Sequence, residues 1–398
     1  MSSKPGQGPL AGVRVIEIAG LGPVPYCGMM LADMGAEVIM VERPEPVATG
    51  QGPRSAMERS RRYLCLDLKN PAGREVLLQL VARSDALIEG FRPGVAERLG
   101  IGPADCLQRN PRLVYGRVTG WGREGPLAAA AGHDLNYLAL SGLLHTIGRV
   151  GEKPVPPLNV VGDFGGGGLL LAFGVVCALL QARVSGRGQV VDAAMVDGAA
   201  SFMAPFIGGE AWGFDERPGR GLLAGAAHYY DTYETRDGGF VSVAAIEPQF
   251  YALLIERLGL DAARFAVAGF PALDAATRGE RWPALKQELA VLFRSRTRAE
   301  WCQLLEGTDA CFAPVLALSE ALRHPHNLAR STYVDVDGRP QPAPAPRFSG
   351  TPPAAPSAAR PPGADTRALL AELGMDDEQL IALRQSDALG QAFDAASD

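Results

Sequence analysis

The amino-acid sequence predicts an α/β protein, with a doubly wound parallel-sheet (Rossmann-like) large domain and a smaller α+β domain. Over residues 13–119, short apolar runs typical of strands alternate with segments whose apolar residues recur at helical spacing. This is the pattern of a parallel sheet covered by helices. A Gly-rich stretch of weak periodicity then precedes a hairpin pattern. We therefore expect a large domain over 1–204, a linker over 205–226, a small domain over 227–330 and a return to the large domain over 331–398.

The composition is that of a soluble globular protein. Of 398 residues, 47% are hydrophobic and 21% are charged, which is enough to build a sizeable core. A net charge of −6 argues against nucleic acid as a partner, because that requires a broad basic surface. The six scattered cysteines form no CxxC pair, so we expect reduced thiols and no metal site. The polar N-terminus and the shortness of the apolar run 169–182 indicate no signal peptide, no membrane span and a cytoplasmic location.

The large domain begins with a βαβ unit. Strand-like runs at 13–19 and 37–42 flank a helix that begins near Tyr26. Asn70 and Pro71 supply the N-cap and the first residue of a later helix. Further strand-like runs cover 63–69, 86–90 and 113–118, with a short helix around 94–100.

The first βα turn partly matches a dinucleotide-binding fingerprint. Gly20 and Gly22 follow the first strand, and Glu42 ends the second, where an acid binding a ribose is expected. However, Pro25 takes the place of the third glycine, and Pro23 removes an N–H group from the loop. The sequence therefore disfavours a nicotinamide cofactor.

The remaining chain indicates a smaller unit and a tail. Residues 228–246 predict a hairpin with its turn at Asp237–Gly239, followed by three helices and a strand. Nine prolines in residues 339–363 argue against regular helix or sheet there. The leucine spacing of residues 366–389 predicts a helical tail.

Residues 132–169 carry the first candidates for chemistry. Asp163 precedes four glycines, Gly165–Gly168, that begin a strongly apolar helix. An acid at such a helix entrance lies near unpaired N–H groups and the positive end of the helix dipole. The glycines would let a ligand approach the main chain, which suits a developing negative charge. The alternative is that Asp163 is only an N-cap.

Two further candidates have equally plain alternatives. His133 is the histidine chosen for catalysis, because imidazole changes charge near neutral pH, although a lone histidine is often structural. Glu247 stands at a strand-to-helix junction, a common place for active-site groups. Its alternative is an acid favoured by the helix dipole.

A group of basic residues lies near the carboxyl ends of the predicted parallel strands. Arg43, Lys69 and Arg92 end or follow strands, and Arg98 lies in the next helix. Open α/β sheets bind ligands at this edge, and clustered cations suit the phosphates of a nucleotide-like carrier. Solvated surface charge is the alternative for each of them.

These features coincide with a known family. From Pro9 to the Pro-rich segment, the chain resembles the family III CoA-transferase superfamily, and within it the members that racemise 2-methylacyl-CoA thioesters. The matching stretches are PLAGVRVIEIAGLGPVPYCGMMLADMGAEVIMVERP, LIEGFRPGVAERLGIGP, VTGWGREGP, GHDLNYLALSG, PPLNVVGDFGGGG, GQVVDAAMVDGA, YYDTYETRDGGFVSVAAIEPQF and DACFAPVL. The resemblance implies an interlocked homodimer with a CoA site on each large domain.

The resemblance also implies roles for individual residues. His133 and Asp163 would transfer protons, and Glu247 from the other chain would pair with the histidine. The expected CoA contacts are Arg43, Lys69, Arg92 and Arg98, and the expected pocket neighbours are Tyr137, Asn159 and Tyr230.

The implied reaction is a 1,1-proton transfer through an enolate, which main-chain N–H groups would stabilise. It needs no metal and no cofactor beyond the coenzyme A of the acyl-CoA substrate. The runner-up is a CoA-transferase in which Asp163 is a nucleophile that forms an acyl anhydride. The histidine of GHDLNY argues against it, since transferase relatives usually carry another motif there. A non-catalytic acyl-CoA-binding protein is a third alternative. The presence of all three residues, His133, Asp163 and Glu247, argues against it.

Overall fold

The computed structural model describes residues 7–44, 54–207, 214–265 and 281–389. The strands in chain order are β1 (Arg14–Ile18), β2 (Glu37–Glu42), β3 (Arg61–Cys65), β4 (Ala86–Glu89), β5 (Val114–Thr119), β6 (Val190–Ala194), β7 (Tyr230–Glu234), β8 (Phe240–Ala244), β9 (Phe312–Val315), β10 (Tyr333–Val336) and β11 (Arg339–Pro342). The helices are α1 (Pro23–Asp33), α2 (Pro71–Val81), α3 (Val95–Arg98), α4 (Pro103–Arg109), α5 (Asp134–Leu140), α6 (Leu143–Thr146), α7 (Leu170–Ser185), α8 (Met195–Ser201), α9 (Pro248–Arg257), α10 (Trp282–Phe293), α11 (Arg298–Leu305), α12 (Leu318–Ala321), α13 (Pro325–Ala329), α14 (Thr366–Glu372) and α15 (Asp377–Gln385).

The chain forms two compact units. Unit 1 comprises Met1–Leu138, Leu158–Ala199 and Ala329–Asp398, and unit 2 comprises Ala139–Pro157 and Ala200–Leu328. The sequence division assigned residues 139–157 to the large domain, whereas here they pack in unit 2. One reason is the ion pair between Arg149 and Asp231, 2.9 Å apart. The predicted linker lies in unit 2, and its residues 208–213 fall outside the described ranges.

Unit 1 is built on the predicted parallel sheet. Its six strands run in the order β3-β2-β1-β4-β5-β6, and every neighbouring pair is parallel. The strand order therefore reverses between β1 and β4, which creates a crevice at the carboxyl ends of these two strands. The doubly wound fold is confirmed.

Apolar side chains cover both faces of this sheet. Ile16 of β1 belongs to one core cluster with Leu77 of α2, and its neighbour Val15 belongs to a second cluster with Leu171 of α7. Successive strand residues point to opposite faces, so a strand buried on both sides has a continuous apolar run. The cap of α2 is also as predicted, because Asn70 Oδ1 accepts the Ala72 N–H at 2.9 Å. The first helix, however, begins at Pro23, before the predicted Tyr26.

The helix that follows the glycine run is longer than the sequence suggested. A π-helical segment, Val160–Leu169, continues directly into α7. Together they form a helix of 26 residues, Val160–Ser185, long and apolar enough to cross a membrane by length and composition. The prediction that this helix is too short to span was therefore wrong. It packs on the sheet nonetheless: a Cβ on Gly116 of β5 would lie 2.9 Å from Val175 and 3.0 Å from Leu171. It is a core helix.

Two elements in the last part of unit 1 differ from expectation. The Pro-rich segment was predicted to lack regular structure, yet β11 pairs antiparallel with β10. Pro340 and Pro342 lie two residues apart, so both lack the N–H on the same, open edge of the strand, where proline is tolerated. The helical tail is two helices, because Gly374 takes a φ of 90° and Asp376 caps the second.

Unit 2 contains the predicted hairpin. Strands β7 and β8 pair antiparallel, and β9 adds to β8. Helices α9, α10 and α11 follow the hairpin in the chain, as predicted. Trp301 and Phe293 are buried in its core with their rings in edge contact.

Candidate active site

Asp163 lies at the carboxyl edge of the parallel sheet. Its Oδ2 is 3.4 Å from the position that a Cβ on Gly22 would take. Gly22 belongs to the turn after β1 and has a φ of 67°, which favours glycine. The Asp163 carboxylate therefore stands beside the point at which the strand order reverses, where ligands of such sheets bind.

The helix start holds Asp163 inside its first turn. The N-cap of the π-helical segment is Asn159, four residues earlier, so the alternative interpretation of Asp163 as an N-cap was wrong. Asn159 Nδ2 donates a hydrogen bond of 3.0 Å to Asp163 Oδ2. The predicted pocket neighbour Asn159 is thus in direct contact with the predicted acid.

The glycine run serves close packing more than ligand approach. Gly166, Gly167 and Gly168 are buried. A Cβ on Gly166 would lie 3.0 Å from the main chain of α8, and one on Gly168 would lie 2.6 Å from the Pro23 carbonyl oxygen of α1. The expectation that all four glycines open the main chain to a ligand was therefore wrong for these three.

His133 occupies the turn that begins α5. Its main-chain N–H donates to Asn136 Oδ1 over 3.0 Å, and its carbonyl accepts the Asn136 N–H at 2.8 Å. These two bonds fix the backbone of His133, while its side chain is exposed. The imidazole is accordingly accessible from solvent at the N-terminus of a short helix.

Tyr137 stabilises the turn that contains His133. Its hydroxyl donates to the Gly132 carbonyl, and its ring meets Trp121 edge-on with centroids 4.7 Å apart. Burial raises the pKa of Tyr137, the Asp163 carboxylate raises it further, and the positive charge of Arg92 lowers it. Tyr137 therefore remains a neutral donor between the His133 turn and Asp163.

Sequence reasoning missed Asp134. This buried acid follows His133 directly, and its Oδ1 accepts the main-chain N–H of Asp163 at 2.7 Å. An acid in the first turn of a helix is usually explained by the helix dipole. The sequence therefore carried no signal for a contact with a segment so far along the chain.

The basic group lies along the same edge of the sheet. Arg43 follows β2, Lys69 follows β3 and Arg92 follows β4, and all three side chains are exposed. The strand order places Lys69 and Arg43 on one side of the crevice and Arg92 on the other. Arg98 is exposed at the end of α3. Its Nη1 lies 3.1 Å from the position that a Cβ on Gly94 would take.

Glu89 holds the loop that carries Arg92 by hydrogen bonds. One oxygen of this buried carboxylate accepts the Phe91 N–H at 2.6 Å, and the other accepts Arg117 Nε–H at 3.2 Å. Burial raises the pKa of Glu89, and these two contacts oppose the increase. The ion pair thus gives the Arg92 loop a defined backbone.

Glu42 does not have the surroundings of a ribose-binding acid. It pairs with Arg54, whose Nη1 lies 2.8 Å from Oε1. The Arg54 guanidinium therefore contacts the carboxylate that the partial fingerprint would assign to a ribose.

The other two predicted residues lie in unit 2. Glu247 is exposed and occupies the N-cap position of α9, but its side chain makes no capping hydrogen bond. Tyr230 begins β7 and lines a cavity of about 690 Å³, whose wall includes Phe206, Leu222 and Thr232. Among the described residues, no cluster of three or more His, Cys, Asp or Glu side chains could hold a metal ion.

Comparison with known proteins identifies the family. Residues 10–366 match CoA-transferase family III. The chain is 47% identical to the α-methylacyl-CoA racemase of Mus musculus, over 94% of this chain and 96% of that protein. It is 44% identical to the α-methylacyl-CoA racemase of Homo sapiens, with the same two coverages. A crystal structure of a CaiB/BaiF family protein from Brucella suis superposes with a TM-score of 0.78 at 25% identity, covering 92% of this chain and 100% of that one. The chain is therefore a member of CoA-transferase family III.

Proposed function

We propose that this enzyme is an α-methylacyl-CoA racemase, an isomerase that interconverts (2R)- and (2S)-2-methylacyl-CoA thioesters. The observation that carries the proposal is the hydrogen bond from Asp163 N–H to Asp134 Oδ1. It joins the turn of His133 to the segment of Asp163 at the carboxyl edge of the sheet. The similarity to two racemases over nearly the whole chain supports the same reaction.

Racemisation requires a base on each side of the α-carbon. The proton next to a thioester carbonyl is weakly acidic, and a base must come within hydrogen-bond distance to remove it. In our proposal, His133 serves one face and Asp163 the other. In each direction one base removes the α-proton, and the protonated form of the other base delivers a proton to the opposite face, which forms the opposite enantiomer. Main-chain N–H groups near the start of the π-helical segment, other than those of Gly162 and Asp163, which bind Asp134, stabilise the enolate oxygen.

The proposal includes a homodimer in which Glu247 of the partner subunit pairs with His133. One face of α7 supports the dimer. Phe173, Leu180 and Val184 are 66%, 59% and 87% exposed, at spacings that align them along the helix. A contiguous exposed apolar stripe of this kind usually marks a protein interface. The exposed Glu247, free of a capping role, is available to act on a second chain.

The coenzyme A part of the substrate binds to the basic edge. Arg43, Lys69, Arg92 and Arg98 supply cations for its phosphates. Tyr137 and Asn159 line the pocket around Asp163, and Tyr230 is a further substrate-binding residue of the proposal. The reaction as proposed uses no metal and no further cofactor, and we place the enzyme in the cytoplasm.

Hydrogen exchange at the α-carbon tests this function. The purified enzyme is incubated in D₂O with one enantiomer of a 2-methylacyl-CoA and no acceptor acid. We expect deuterium to enter the α-position as optical purity falls, and we expect His133→Ala and Asp163→Ala each to abolish racemisation. Intact protein that neither exchanges nor racemises the ester would refute the proposal.

A CoA-transferase activity is the second candidate, because membership of the family and an accessible Asp163 carboxylate fit it as well. In that reaction Asp163 attacks the thioester and CoA leaves, forming an acyl anhydride; CoA then attacks the Asp163 carbonyl and releases the acid. The resulting enzyme thioester reacts with hydroxylamine. CoA transfer to an added carboxylate without α-proton exchange would favour this candidate.

A further inference from the structure

We propose that Asp134 is a positioning residue: its buried carboxylate fixes the main chain of Asp163 and thereby sets where that base meets the α-carbon. This inference rests on the proposed function, in which Asp163 is one of two bases. The contact that carries it is the 2.7 Å hydrogen bond from Asp163 N–H to Asp134 Oδ1, which spans 29 positions of sequence.

The carboxylate is enclosed by the backbone of the π-helical segment. Asp134 is 6% exposed, and a Cβ on Gly162 would lie 2.5 Å from its Oδ1. The N–H groups of Gly162 and Asp163 both bond to it and oppose the increase in its pKa that burial causes. Two charge-assisted bonds at the positive end of a helix are strong for hydrogen bonds. Asp134 therefore holds the Asp163 backbone tightly.

The direction of these bonds separates Asp134 from an ordinary helix-start acid. It is the first residue of α5, but its side-chain hydrogen bonds, among the described residues, go to the segment that carries Asp163. The Asp163 side chain leaves the main chain one bond from the held N–H group, so a shift of that backbone moves the carboxylate. A misplacement of about 1 Å can cost about 100-fold in rate.

The other proposed base has a separate support. The main-chain N–H of His133 donates to Asn136 Oδ1 over 3.0 Å. Asn136 is exposed on the first turn of α5, so it can be replaced without opening the core. The two bases are therefore held by two different side chains, and Asn136→Ala is a matched control for changes at Asp134.

The test uses enantiomer-specific exchange. The initial loss of the α-proton to D₂O is measured for each enantiomer of one 2-methylacyl-CoA. Asp163→Asn and His133→Asn first identify which enantiomer depends on which base. We expect Asp134→Ala and Asp134→Ser to slow exchange of the Asp163-dependent enantiomer at least about tenfold relative to the other. This ratio does not depend on the fraction of enzyme that is folded, so reduced stability alone leaves it unchanged.

Two further variants complete the test. Asp134→Asn retains an oxygen that can accept both N–H groups, and we expect its ratio to stay within about threefold of the wild type. Asn136→Ala should shift the ratio in the opposite direction. An unchanged ratio in both Asp134→Ala and Asp134→Ser, or a shift against the His133-dependent enantiomer, would overturn the positioning role. If the wild-type enzyme exchanges the α-proton of neither enantiomer, that result would instead refute the proposed function itself.

Discussion

His228 should make the stability of unit 2 depend on pH below neutrality. It is fully buried, and its Nε2 lies 2.7 Å from the Tyr251 hydroxyl. That hydroxyl donates to the Phe265 carbonyl at 2.8 Å, so Nε2 must carry the hydrogen and Nδ1 must be the bare nitrogen. Nδ1 has no partner among the described residues. Protonation of Nδ1 would therefore bury a positively charged imidazolium whose Nδ1–H has no acceptor among the described residues.

Burial lowers the pKa of His228 from 6.5 to about 3, and the charges of Arg281 and Lys286 contribute. Above pH 6.5 the imidazole is neutral in both the folded and the unfolded chain. Below that pH only the unfolded chain gains a proton, so stability falls by about 1.4 kcal/mol for each pH unit. Between pH 8 and pH 5 the free energy of unfolding should therefore lose about 2 kcal/mol through this residue.

The assay is urea unfolding followed by tryptophan fluorescence, at one protein concentration, for the wild type and His228→Gln. Glutamine can still bond to the Tyr251 hydroxyl but does not titrate. The difference in unfolding free energy between the two proteins should shrink by about 2 kcal/mol as the pH falls from 8 to 5. A difference that stays constant within about 0.5 kcal/mol over this range would refute the reasoning.

Three further outcomes are expected. Gly120→Ala places a Cβ 2.1 Å from the Tyr137 ring, so the ring must move and α-proton exchange should fall at least about tenfold, measured as above against wild type. Gly198→Ala places a Cβ 2.0 Å from the Gly166 carbonyl oxygen, and should lower the free energy of unfolding by about 1–3 kcal/mol, measured with urea. Arg92→Gln should raise KM for the CoA ester with little change in kcat, and the increase should shrink at high salt, because an exposed cation acts through a screened charge; an unchanged KM at low salt would exclude Arg92 from CoA binding.

The parallel sheet was predictable because each strand carries its own evidence. A strand buried on both faces needs a continuous apolar run, as in β2, and the connecting helices need a 3.6-residue period. These signals are local, so they can be read from the sequence without knowing which elements pack together. The strand β11 was missed because its proline content argues against a strand. Proline is tolerated on an open edge, and the sequence does not show which edge of the strand is open.

The arrangement of the site was only partly predictable. Carboxyl ends of parallel strands share one edge, so Arg43, Lys69 and Arg92 could be placed together from the sequence alone. The role of Gly166–Gly168 could not, because glycines that admit a ligand and glycines that admit another helix look identical in a sequence. Only the position of α8 beside them shows which applies. Asp134 was missed for the same reason, since its partner Asp163 is remote in the chain.

The two proposed bases differ in how firmly the fold holds them. Asp163 lies in a helix whose entrance is packed against α1 and α8, and its N–H is bonded to a buried carboxylate. His133 stands in an exposed turn that an exposed amide supports. A rigid base needs little help to stay in place, whereas an exposed imidazole gains precision from a third group that orients it. This asymmetry fits the proposed mechanism, in which Glu247 of the partner subunit pairs with His133 and Asp163 is held by its own chain.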